Sequence, residues 1–181
     1  MLAFRDESRV TLGSQARFRL DNFVYDNANA GEGRFLASIL RGSMRALTGL
    51  IAKSNNRNVG FSTATATIGI RGTGFDANVA FDPTTGEPTG ELTLWAWLGS
   101  IEVGQQGQTA LQVLQSGQGL FIPRGGPIQQ INNQPAIEGE RPDGVQVPDN
   151  LFSSADVDDG SEGLFVFVRD GHIEIASAKE I

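Results

Sequence analysis

Cysteine is absent from the 181 residues, which removes disulfides, thiolate metal ligands and thiol nucleophiles together. Histidine occurs once, as His172. A single imidazole cannot supply a metal cluster, and a Ser-His-Asp arrangement would rest on one residue placed in a turn. There is no Gly-x-Ser-x-Gly elbow, no phosphate-binding loop, and nothing that points to a paired-carboxylate glycosidase site. Charged residues make up 19% of the chain, below the usual share of about 25%. No apolar run reaches the ~18 residues of a membrane-spanning helix. The first residues, Met1-Leu2-Ala3-Phe4 before Arg5, Asp6 and Glu7, carry no leader signature and read as mid-strand. An upstream segment is therefore expected to be missing from this chain, and a downstream one as well.

What is present is glycine, 23 residues, with 7 prolines. Together with short apolar stretches, that texture predicts many strands joined by tight turns. The net charge of −7 is uneven: residues 1–137 hold 11 basic and 10 acidic side chains, and residues 138–181 hold 3 and 11. An acidic chain repels phosphate backbones, so a nucleic-acid partner is not expected.

Period-two alternation marks the strands. Ala16, Phe18 and Leu20 face one way, and Arg17 and Arg19 the other. Asp26 to Gly33 is polar and predicts a loop. Residues 34–53 fit helix or strand; with Gly42 and Gly49 inside, the reading is two short strands around Gly42, then one or two helical turns over Gly49–Lys53. Val59, Phe61, Thr63, Thr65 and Thr67 form a β-branched and aromatic ladder. Asp82-Pro83-Thr84-Thr85-Gly86 predicts a turn. Leu92 to Leu98 is apolar on both faces, so it is expected between layers, with Gly99-Ser100 turning the chain into Ile101-Glu102-Val103. Shorter strands follow at 109–114 and 119–122.

Three regions result: a β domain over 1–123, a Gly/Pro/Asp-rich linker or surface loop over 124–163, and a hairpin over 164–181 turned at Asp170-Gly171. That hairpin echoes Leu94 to Val103, since both run from an aromatic strand through glycine into an Ile-Glu pair. The fold class is all-β, an antiparallel jelly-roll or double-stranded β-helix-like sandwich, with a β-solenoid as the alternative.

Ala66-Thr67-Ile68-Gly69-Ile70-Arg71-Gly72-Thr73-Gly74-Phe75 resembles the signature of the FecR domain. Leu47-Thr48-Gly49-Leu50-Ile51-Ala52-Lys53 is similar to the family's Thr-Gly-x-Ile-Ala step. Phe4-Arg5-Asp6-Glu7-Ser8-Arg9-Val10-Thr11-Leu12 resembles its opening segment, with Glu7 where the family carries glycine. Asn22 to Asp26 matches as well, and 163–175 loosely. The resemblance implies a periplasmic or extracellular domain without enzymatic activity, working in envelope signalling of the anti-sigma type through a protein partner. A surface module that binds polysaccharide or protein is the alternative.

Gly69, Ile70, Arg71, Gly72, Thr73, Thr48 and Gly49 are the motif residues, read as structural. The glycines allow sharp bends and close backbone approach. Arg71 is a candidate partner-binding cation. Set among apolar and Thr residues it needs a carboxylate, Asp76 or Asp26, and internal pairing is the plainer reading. Trp95 and Trp97 share a strand face and are candidates for a sugar or protein platform, against the plainer reading of core packing. The acidic run from Asp156 to Glu162 lacks calcium-loop spacing and reads as a solvated loop. No cofactor and no metal is expected.

Overall fold

Inward alternation of Ala66, Ile68 and Ile70 continues into a strand of sixteen residues, and two neighbouring strands run to fourteen and eighteen. The computed structural model describes residues 1–152, 164–166, 168 and 172–176. In chain order the strands are β1 (Leu2–Phe4), β2 (Arg9–Leu12), β3 (Arg17–Val24), β4 (Arg34–Leu47), β5 (Val59–Ser62), β6 (Ala66–Phe81), β7 (Pro88–Gln105), β8 (Leu111–Gln115), β9 (Gln118–Ile122), β10 (Gln129–Ile131) and β11 (Leu164–Val166). One helix of five residues, α1 (Leu50–Ser54), follows β4.

The pairings sort into two layers. The first runs β3, β4, β5, β6, β7, β8; it uses the beginning of β4 and β6 and the end of β7. The second runs β11, β1, β2, β4, β6, β7, β9, β10, through the other halves of the same three strands. β4, β6 and β7 thus cross from one layer to the other, the geometry of sheets joined at bent corners. Each crossing holds a glycine with positive φ: Gly42 at 81°, Gly72 at 65° and Gly99 at 67°.

This is the expected all-β sandwich. Every pairing among the described residues is antiparallel except β4 with β5, and strands that switch layers do not form the stacked coils of a solenoid. Three local expectations are corrected. Residues 34–47 are one strand bent at Gly42, not two short ones, because the flanking halves pair with different neighbours. Gly99-Ser100 does not turn the chain back; β7 continues through it, paired with β6 on both sides. The threonine ladder is interrupted at Thr63, whose hydroxyl accepts from the Thr65 and Ala66 amides at 3.1 and 2.9 Å and closes a tight turn. Among the described residues, none of the helices is long and apolar enough to cross a membrane.

Between the layers lie Phe35, Met44, Phe75, Leu94, Ile101 and Leu120, all fully buried. A row of phenylalanines ties five strands into this core. Phe4 meets Phe35 at 4.9 Å and Phe23 at 5.5 Å; Phe35 meets Phe61 at 5.6 Å, and Phe61 meets Phe75 at 5.1 Å. Each such pair contributes about 0.5–1.5 kcal/mol beyond its buried area.

The crossing at Gly99 yields a direct test. Gly107 has a similar φ of 80° with open space around it, whereas a Cβ on Gly99 would strike the Gly72 carbonyl oxygen. Gly107→Ala should therefore cost about 1 kcal/mol in urea unfolding, the left-handed penalty alone. Gly99→Ala should cost roughly 3 kcal/mol, because two backbones must also separate. Equal losses would contradict the bent-corner reading.

Candidate functional site

The corner of β6 brings the motif residues together. Thr48, just past β4, donates its hydroxyl to the Thr73 carbonyl at 3.0 Å and accepts from the Thr73 amide at 3.1 Å. The Thr48 amide also donates to the Thr73 carbonyl, at 3.0 Å. Thr73 passes the link on: its hydroxyl donates to the Ser100 carbonyl at 2.6 Å and accepts from the Arg71 amide at 3.3 Å. These donors and acceptors are the ones a sheet corner leaves without ladder partners.

Gly49 joins this clasp to the turn between β1 and β2. Its amide donates to the Ser8 hydroxyl at 2.9 Å, and the following Leu50 amide donates to the Asp6 carbonyl at 2.6 Å. A side chain on Gly49 would run into the Asp6 and Ser8 backbone. The Asp6 carboxylate, itself fully buried, accepts from the Ser8 amide at 3.1 Å and hydroxyl at 2.8 Å. Between them Glu7 stands at φ 68°. The turn therefore keeps the left-handed geometry that glycine would take, and carries it with a glutamate.

Arg71 lies outside the clasp. It is exposed on the outer face of the first layer and pairs with Glu102. This corrects the expected partners, Asp76 or Asp26: the bulge after Arg71 sends Asp76 to the outer face of the second layer instead. There Asp76 is 0% exposed and takes both arms of Arg45, Nε at 2.9 Å and Nη2 at 3.0 Å, the fork-to-carboxylate geometry. Trp97 Nε1 donates to the same carboxylate at 3.0 Å.

Residues 131–145 lie as a strap across this outer face. Arg45 donates to the Gly139 carbonyl at 2.9 Å, and Arg9 to the Val145 carbonyl at 2.9 Å. The Glu138 carboxylate accepts from the Ser14 amide and hydroxyl at 3.0 and 2.9 Å. Arg141 stacks on the Trp97 ring, 4.2 Å from its centre, within the range of a cation–π contact. Arg141 also holds the Asp143 carboxyl below the usual carboxylate range.

The two tryptophans do not form an open platform. Trp95 is 6% exposed and packs against Gly119. Trp97 is half-buried between Gly74 and Arg141. His172 is exposed. The Asp156–Glu162 run and the Asp170-Gly171 turn lie outside the described residues. A cavity of about 340 Å³ opens between Thr93, Phe121 and the strap residues Ile131 and Pro135, and no titratable group lines it. Among the described residues, no three His, Asp or Glu side chains gather to hold a metal ion. Sequence reasoning missed Arg45, Asp76 as its partner, and Arg141; the one available signal was that Arg45 and Asp76 are single charges among uncharged strand neighbours, whereas Arg141 sits in a charged loop that gives no such sign.

The geometry has counterparts among solved structures. Two crystal structures of a putative anti-sigma factor from Parabacteroides distasonis share the fold, with TM-scores of 0.53 and 0.50 at 14% and 15% identity. In each, the likeness covers 72% of this chain and 53% of the other, so the chain spans about half of that protein's length. No protein-family model matches the chain, and no curated protein matches it. The FecR resemblance therefore stands on the motif residues alone, and the likeness to the solved structures shows the fold.

Burial raises the pKa of Asp6, with the Ser8 hydrogen bonds offsetting part of the effect. The folded state then holds the Asp6 proton more tightly than the unfolded state. That stability is complete below the unfolded value of about 3.9 and is lost as pH rises through the raised folded value. Relative to Asp6→Asn, the natural protein should lose stability as pH climbs from about 4, then level off. A difference that stays constant over this range in urea titrations would refute the assignment.

Proposed function

We propose that the chain is a non-catalytic, FecR-like interaction domain that works in envelope signalling of the anti-sigma type. The observation that carries this reading is the fold shared with the Parabacteroides distasonis protein. The use of the motif supports it: Thr48, Gly49, Thr73 and Gly74 are consumed in holding a corner and are buried, so the motif builds a scaffold rather than a reaction centre. The partner in this reading is another protein of the envelope, met outside the cytoplasm, and Arg71 is the motif residue left facing outward to meet it. Sugar stacking draws no support from Trp95 and Trp97, which are taken up by packing.

The test is made in the source bacterium with the full-length, epitope-tagged protein. Removing the coding region should shift transcription of one sigma-dependent gene set, and the tagged protein, recovered from the periplasmic or outer fraction, should restore it. Arg71→Glu should restore it poorly, while its melting temperature moves by less than about 2 °C, as befits an exposed position. Unchanged transcription after removal, or a protein found only in the cytoplasm, would refute the proposal.

A further inference from the structure

From Val103 to Pro123 the chain carries no charged residue, although Glu102 and Arg124 stand at either end. This stretch includes β8, the last strand of the first layer. β8 pairs with β7 on one side and, among the described residues, with nothing on the other. Proteins guard such edges with charge, proline or bulges. The opposite edge of the same layer, β3, follows that rule with exposed Arg17, Arg19 and Asp21. β8 reads Leu-Gln-Val-Leu-Gln and presents Leu111 at 63% and Val113 at 47% exposure.

Two hydrogen bonds show which backbone groups are free. The Ser100 carbonyl accepts from Thr73, on the β6 side, so Ser100 turns its ladder groups away from Gln115, its partner on β8. The Gln115 amide accordingly goes elsewhere, to the Gln118 side chain at 2.9 Å. Antiparallel alternation then directs the N–H and C=O of Val113 and Leu111 outward too.

We infer that the β8 edge is a dimerisation strand, which pairs antiparallel with β8 of a second copy around a two-fold axis at Gln112. In this register Leu111 faces the partner's Val113, and Val113 faces the partner's Leu111. The free N–H and C=O groups of both residues are all used, and each apolar side chain meets an apolar one. Centring the axis on Val113 would instead oppose Leu111 to Gln115, whose amide is already committed. This self-complementary register favours a second copy as the occupant. Copies with a net charge of −7 repel one another, yet along this strip neither brings a charge, and nearby Glu102 is balanced by Arg71. The inference stands apart from the proposed signalling role.

Sedimentation equilibrium of the full chain from about 10 μM upward should show the mass rising from 19.3 kDa toward twice that value, in the range of a weak edge contact. Val113→Lys should hold it at the monomer mass without lowering its melting temperature. Because the chain has no cysteine, single-cysteine variants report the register. Residues at a non-hydrogen-bonded antiparallel pair lie ~4.5 Å apart, within disulfide reach. In oxidised glutathione, Gln112→Cys should form dimers at least about tenfold faster than the exposed control Gln108→Cys. Leu111→Cys and Val113→Cys should cross-link well only when mixed. A monomer at every concentration, which would leave the edge to a strand from another protein, overturns the inference. So does a dimer that survives Val113→Lys or cross-links no faster at Gln112 than at Gln108.

Discussion

Three strands of this domain belong to both layers, and a strand that changes layers must give up its ladder partners at the corner. The reciprocal hydrogen bonds between Thr48 and Thr73 supply the missing partners. They satisfy the Thr73 amide, which would otherwise be buried alone, a cost of about 1–3 kcal/mol for such a group, and add a second donor to the Thr73 carbonyl. From this clasp the links run outward in order. Thr73 holds Ser100 on β7, Gly49 holds Ser8, and Ser8 and Asp6 hold the first turn. Phe75, two residues past Thr73, enters the aromatic row that joins β1, β3, β4, β5 and β6. The corner thereby sets the relation of the two layers, and the position of each outer face follows from it.

The two outer faces differ in consequence. The second layer carries Arg45, Asp76 and Trp97 outward, and the strap satisfies them with its backbone carbonyls and with Arg141. Removing two charges from water is tolerable only when they meet in good geometry with further hydrogen bonds, and the strap provides one of these at Gly139. Its cover closes that side. Among the described residues nothing covers the outer face of the first layer, where Arg71 and Glu102 pair beside Gly69.

Much of the sandwich was legible. Alternation located β3, and Asp82 to Gly86 forms the turn that its composition predicts, with the Gly86 amide bonded to the Asp82 carbonyl at 2.7 Å. The motif was legible as a cluster of glycines and threonines, but its geometry was not. Glycine reads as a breaker in a sequence, and at Gly42 and Gly99 it instead lets a continuing strand bend. Arg71 was matched to the wrong carboxylates because the bulge between Arg71 and Gly74 exchanges faces, which alternation alone cannot register. The strap was expected only as a linker or surface loop, and its anchors were not legible for a different reason. It is held at Gly139, Pro142 and Val145 by backbone carbonyls, which every residue has, so composition carried no sign of them.

The central claim is that the Thr48 hydroxyl completes the corner, and paired substitutions of one chemistry test it. Thr11 is also buried, yet its hydroxyl has no hydrogen-bond partner among the described residues. Threonine to valine keeps the shape and removes the hydroxyl. In urea unfolding at neutral pH, Thr48→Val should lose about 1–3 kcal/mol, because the Thr73 amide is left buried and unpaired. Thr11→Val should lose nothing or gain stability. Equal effects of the two substitutions would contradict the account.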